Sequence, residues 1–162
     1  LYPFPFKEHI VRNANTYQLD PFFVTAVMRQ ESIFDPVIES PVGAVGLMQI
    51  MPYTGEEIAD DLGEAFVKDS LYRPAFNIRY GCYYLRKLMN QFKDDQLLAI
   101  CGYNGGPKNA RKWKRMNSND EFDMFVENIG FSETRKYAKK VLGNYWTYKA
   151  LAGPLKYTVA GL

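Results

Sequence analysis

The chain has 162 residues, nearly half of them apolar (47%), with 20 Lys and Arg against 18 Asp and Glu for a net charge of +2. That is one domain of ordinary size with enough apolar residues for a core. The near balance of charge argues against a nucleic-acid footprint, and no run of about 18 apolar residues offers a membrane span.

The opening Leu1-Tyr2-Pro3-Phe4-Pro5-Phe6 lacks the basic leader and apolar stretch of a signal peptide. Ile10, Val11, Ala14 and Tyr17 mark a first helix over residues 6–18, which carries His9, the only histidine. Asp20-Pro21 reads as an N-cap followed by proline at the first helical position, where a missing N–H costs nothing. Val24, Val27 and Met28 then recur at spacings of three and four, the stripe of a helix packed on a core. Glu31 falls on that same stripe. Removing a carboxylate from water disfavours its charged form, so its pKa is expected to rise. Two readings stand: a general acid, or a buried partner of an Arg or Lys elsewhere in the chain.

Ser32-Ile33-Phe34-Asp35-Pro36 ends this helix, because the residue before a proline is pushed out of the α region. Ser40 to Pro52 follows, with Gly43 and Gly46 allowing tight turns and close approach of backbone to a ligand. Gln49 offers both a donor and an acceptor, Ser40 a hydroxyl and Met51 an adaptable apolar surface for a groove beside the acid. The same segment also reads as a connector with Leu47, Met48 and Ile50 in the core. Further helices are expected over residues 53–62, 75–91, 95–104, 107–116 and 120–128. A last one runs from a cap at Ser132 to about Ala150, with Tyr137, Val141, Tyr145 and Tyr148 on one face. The basic run from Lys108 to Arg115 reads as the solvated face of the helix around Trp113. Cys82 and Cys101 lie inside helical patterns and are expected as buried free thiols, a disulfide being the alternative. The tail after Gly153-Pro154 reads as a loop or a short docked extension. Convincing period-two runs are absent, so the expected fold is all-α with little or no sheet. Neither a Cys/His cluster with metal-ligand spacing nor a Gly-rich phosphate loop occurs, so no metal or cofactor is expected.

Glu31-Ser32-x-Phe34-x-Pro36 and Ser40-x-x-Gly43-Ala44-x-Gly46-Leu47-Met48-Gln49-Ile50-Met51-Pro52 together resemble the signature of soluble lytic transglycosylases. These belong to the goose-type-lysozyme-like group that cleaves bacterial peptidoglycan. Gly102-Tyr103-Asn104-Gly105-Gly106-Pro107 is similar to a second family block, Ala-Tyr-Asn-Ala-Gly. Asn77-Ile78-x-x-Gly81-x-x-Tyr84-Leu85 matches a third, and Phe125-Val126-Glu127 with Glu133-Thr134-Arg135-x-Tyr137 matches a fourth. Gly102 and Gly105 depart from the pattern, standing where alanine is usual, and are expected to loosen the chain beside the cleft.

The resemblance implies a lysozyme-like helical domain with a substrate groove. It implies that residues 1–162 are one catalytic domain, the C-terminal part of a longer exported protein of the periplasm or cell envelope. A monomer acting on peptidoglycan glycan strands is expected. Glu31 would act first as acid and then as base on the bond between N-acetylmuramic acid and N-acetylglucosamine, leaving a 1,6-anhydro end. Ser40 and Gln49 are implied as substrate contacts, with Met51 a wall. Tyr103 is either core or, by resemblance, a hydroxyl facing Glu31. Asn104 is a helix cap or a sugar contact, Glu127 a surface acid or a cleft-floor residue, and Tyr137 a packing residue or part of the cleft. The available second carboxylates are Asp35, read as a turn residue, and Glu39, read as exposed. A muramidase using Glu31 with Asp35, and a wall-binding module without turnover, are the alternative classes.

Overall fold

The computed structural model of the chain describes residues 1–153. Among these residues the fold is all-α, with eight α-helices: α1 Lys7–Thr16, α2 Pro21–Ser32, α3 Pro52–Leu62, α4 Pro74–Gln91, α5 Gln96–Gly105, α6 Pro107–Met116, α7 Phe122–Glu127 and α8 Ser132–Ala152. The only strand-like pairing described is a pair of isolated bridges, Glu39 with Val45 and Val45 with Ile50, in the connector after α2.

The helix starts follow local chemistry. Asp20 Oδ1 accepts from the Phe22 N–H at 2.8 Å and Asp95 Oδ1 from the Leu98 N–H at 3.0 Å, while α2, α3, α4 and α6 each carry proline in the first turn. Ser132, expected as a cap, is instead the first helical residue; Phe131 holds the cap position without a side-chain bond. The 3-10 turn Lys68–Tyr72 was not anticipated, being too short for any apolar period to show. The tail after Gly153-Pro154 lies outside the described residues.

Helix α2 is the core element. Val24, Ala26, Val27 and Met28 are fully buried and Phe23 nearly so, each worth roughly 1.5–3 kcal/mol when the side chain is large. Its principal neighbours are α8 and α1, and α5 packs against α4, α6 and α8. Asp20 ties the start of α2 to α8: its Oδ2 accepts from the Tyr145 hydroxyl and from Lys149 Nζ, both at 3.0 Å. Cys82 and Cys101 are buried, unpaired thiols inside α4 and α5.

At its other end α2 stops abruptly. Ile33 and Phe34 both adopt left-handed backbone, φ 51° and 68°, a conformation costly for a β-branched side chain. The buried Ser32 hydroxyl holds the turn, accepting from the Phe34 N–H at 3.0 Å and donating to the Leu47 carbonyl at 2.8 Å. Asn77, buried on α4, holds the same connector from below. Its Oδ1 accepts from the Met48 N–H at 2.7 Å, and its Nδ2 donates to the carbonyls of Val45 and Leu71 at 2.8 Å each. Gly46 lies so close that a Cβ there would come within 2.6 Å of Asn77 Nδ2. The connector is therefore a fastened wall.

Candidate active site

This wall and α2, α3, α4, α5 and α8 enclose a groove of about 700 Å³. Glu31, on the last turn of α2, is half-buried and lines it. Its Oε1 accepts from the Tyr137 hydroxyl on α8 at 2.5 Å. None of the ion pairs among the described residues involves Glu31. Burial pushes its carboxyl up to about 7, against the Tyr137 hydrogen bond, which favours the ionised form. Of the two readings open from sequence, the buried pair with a cation is not what forms. The partner is a neutral phenol, and the acid is poised to change protonation state near neutrality.

The hydroxyl that meets Glu31 is that of Tyr137, not that of Tyr103. The Tyr103 hydroxyl donates to the Met48 carbonyl at 2.7 Å, so it is committed to the wall, although its ring lines the groove and packs against Tyr84 at 5.4 Å between centroids. Burial first, then the Glu31 charge, raises the pKa of both phenols well above the ordinary tyrosine value, so both remain neutral donors.

Ser40, Gln49, Met51 and Asn104 all line the groove. Gln49 sits in left-handed backbone, φ 49°, and its Nε2 donates to the carbonyls of Gly46 at 3.0 Å and Ile38 at 3.3 Å. Its donor is thus used within the wall, which leaves its amide oxygen for a ligand. Ser40 Oγ accepts from the Ala44 N–H at 2.9 Å and keeps its own proton to donate. Asn104 Oδ1 accepts from the Thr134 hydroxyl at 2.8 Å, joining α5 to α8 without capping either helix.

Glu127 is not on the cleft floor. It ends α7 on the surface, paired with Lys139 at 2.5 Å and more than half exposed, and this neighbouring cation holds its pKa low. The acid that lines the groove from this part of the chain is Glu133, in the first turn of α8. Helical spacing carried the signal: Glu133 lies four residues before Tyr137 and so shares its face. Tyr84 of α4, part of the third family block, also lines the groove, as do Tyr53, Thr54 and Glu57 of α3, whose signal is again spacing: Tyr53 and Glu57 are four apart. Asp35 and Glu39 are elsewhere. Asp35 Oδ1 accepts from the Val37 N–H at 3.0 Å in an exposed turn, and Glu39 Oε2 accepts from the Tyr72 hydroxyl at 2.7 Å. Among the described residues, no three His, Cys, Asp or Glu side chains converge as metal ligands would.

Comparison with known proteins gives concordant results. Residues 8–126 match the family described as the transglycosylase SLT domain. A soluble lytic murein transglycosylase of Salmonella typhimurium is 36% identical over 160 residues, covering 94% of this chain and 24% of the relative. Among solved structures, the 70 kDa soluble lytic transglycosylase of Escherichia coli superposes with a TM-score of 0.90 at 33% identity, over 94% of this chain and 25% of that one. An inactive mutant of the lytic transglycosylase Slt from Pseudomonas aeruginosa gives 0.86 at 34% identity, over 95% and 25%. The chain thus spans about a quarter of the length of these relatives.

Proposed function

This chain belongs to the transglycosylase SLT domain family, and from that premise we propose that it is a peptidoglycan lytic transglycosylase. It cleaves the β-1,4 bond between N-acetylmuramic acid and N-acetylglucosamine with Glu31 as its single acid and base. The observation that carries this reading is Glu31 itself: a carboxyl pushed up to about 7 in an open groove, held by a phenol and in no ion pair among the described residues.

Protonated Glu31 gives its proton to the glycosidic oxygen as the bond to the muramoyl anomeric carbon breaks, and positive charge develops on the sugar. The resulting carboxylate then takes the proton of the muramoyl 6-hydroxyl, whose oxygen closes on the anomeric carbon. No water enters, and Glu31 ends as it began. A carboxyl titrating near 7 suits both half-reactions, since neither form is far out of reach at neutral pH. Proton transfer contributes about 10²–10⁴-fold. Tyr137 offsets charge on Glu31 in the second form, Tyr103 stiffens the wall, and the Gln49 oxygen, Ser40 hydroxyl, Asn104 and Glu133 contact the sugar substituents, with Met51 as an apolar face. The exposed turn position of Asp35, bonded to its own backbone, argues against a hydrolase that pairs Glu31 with Asp35. We place the domain, as a monomer, in the cell envelope as part of a longer exported protein.

Mass spectrometry of digested peptidoglycan tests the reaction. The expected muropeptides lack one water relative to hydrolysis products. Reducing ends in their place would make the protein a muramidase, and absence of any product at full folding would make it a wall-binding module.

A further inference from the structure

The exposed face of α6 has no role in the groove chemistry. Lys108, Arg111, Lys112 and Arg115 stand at i, i+3, i+4 and i+7 of this helix, forming one stripe about 10 Å long. Ala110 and Trp113 are its buried residues, on the opposite side. All four cations are exposed, and none takes part in an ion pair among the described residues. Helix α6 contains no acidic residue, so neighbouring cations along the stripe only repel one another. Lys108 also sits in the first turn, where the helix dipole is unfavourable to positive charge. The clustering brings no internal return.

Its position relative to the groove supplies one. Gly106 and Pro107, which lead into the stripe, line the groove. The groove itself holds the carboxyls of Glu31, Glu57 and Glu133, and no Lys or Arg among its lining residues. A ligand that leaves the groove past Pro107 therefore passes from acidic surroundings onto a row of cations. The sugars of a stem-bearing strand are neutral, since each muramoyl carboxyl is tied up as the amide to its stem, whereas the stems themselves carry carboxylates.

We propose that the stripe of Lys108, Arg111, Lys112 and Arg115 binds the carboxylates of the peptide stems on a glycan strand seated in the groove. This rests on the reading of the groove as a peptidoglycan site and adds the part of the polymer that the groove does not reach. Guanidinium groups pair with carboxylates in two-pronged fashion, and the lysines add point charges on flexible stems. Each exposed pair is weak and screened by salt, so recognition comes from several acting together.

Co-sedimentation of the Glu31→Gln protein, which leaves the polymer intact, with isolated peptidoglycan tests this. The polymer is used either intact or stripped of stems by an amidase, with the muramoyl lactyl carboxylates that stripping exposes then capped as methylamides. Retention about 5–10-fold stronger on the stem-bearing polymer is expected, with the preference lost in about 0.5 M salt. Lys112→Glu/Arg115→Glu should erase the preference without changing the thermal melt, and Lys112→Gln/Arg115→Gln should halve it or more. Equal retention of the parent protein on both polymers, or a preference that survives charge reversal, overturns the proposal. So does retention that follows removal of phosphodiester wall polymers instead of stems. Products lacking water from the wild-type protein, together with equal retention, would sink the stripe alone. Stem-dependent retention without any product would sink the transglycosylase reading alone.

Discussion

Glu31 and Tyr137 are 106 residues apart in sequence and 2.5 Å apart in the fold, and their contact sets the pH behaviour of the site. If Glu31 must start protonated, kcat/KM falls as pH rises through about 7. Tyr137→Phe removes the donor that favours ionised Glu31, so this alkaline limb should move up by about 1–2 pH units. A pH–rate profile that stays in place would remove Tyr137 from the mechanism. Stability carries the same signature with a definite sign. The carboxyl titrates near 4.5 when exposed and near 7 when folded, so the folded state holds the proton more tightly. Its contribution favours the fold below about 4.5 and is lost as pH rises toward 7. Glu31→Gln, whose amide stays neutral, should therefore gain on the wild type by about 2–3 kcal/mol between pH 4.5 and 8. Denaturant melts at the two pH values measure this, and activity on peptidoglycan should fall to background in the same variant. Sequence alone made Glu31 legible, because an acid on an apolar stripe is a local anomaly. It left the partner open, since nothing local to residue 31 points to residue 137. Glu127 went astray for a related reason: spacing from Tyr137 favoured Glu133, and block membership alone did not separate the two acids.

At the scale of elements, short connections decide what the helices cannot. Helix existence followed from apolar period and capping, and the observed bounds lie within two residues of the expected ones. Glycines were harder to read. Gly102 and Gly105, expected to loosen the cleft, are positions of close packing. A Cβ on Gly105 would lie 2.9 Å from both Thr134 Oγ1 and Trp113 Cη2, and one on Gly102 would lie 3.1 Å from the Phe92 ring. Gly105→Ala, which improves helix propensity, should nevertheless destabilise by about 1–3 kcal/mol by thermal melting, because Trp113 is itself buried. A gain in stability would restore the loosening interpretation. Asn77→Ala strips partners from the Met48 N–H and the carbonyls of Val45 and Leu71 at once. A loss of about 2–4 kcal/mol is expected, along with a raised KM if the connector is the groove wall. Sequence showed Asn77 only as part of a resemblance; its three bonds depend on a loop that has no period.

Over the whole molecule, the site is assembled from both ends of the described chain, with α2 and α8 in mutual contact and the connector closing one side. Fold class was legible because every segment obeyed one period. The groove was legible only in part: Glu31, Ser40, Gln49, Met51, Tyr103 and Asn104 line it as expected, but its acids on α3 and α8 look like ordinary surface residues in isolation. The matched relatives are about four times longer, yet these helices enclose a core of their own, to which α4 and α5 contribute Cys82 and Cys101. Both thiols have no exposed surface, and burial holds Cys101 up at about 12 and Cys82 higher still. They are consequently a clock wired into the interior. A disulfide reagent should modify them only as fast as the helices part, so labelling should be slow in buffer and quicken with denaturant in step with unfolding. Immediate reaction of either sulfur in native buffer would mean that the interior breathes far more than its packing suggests.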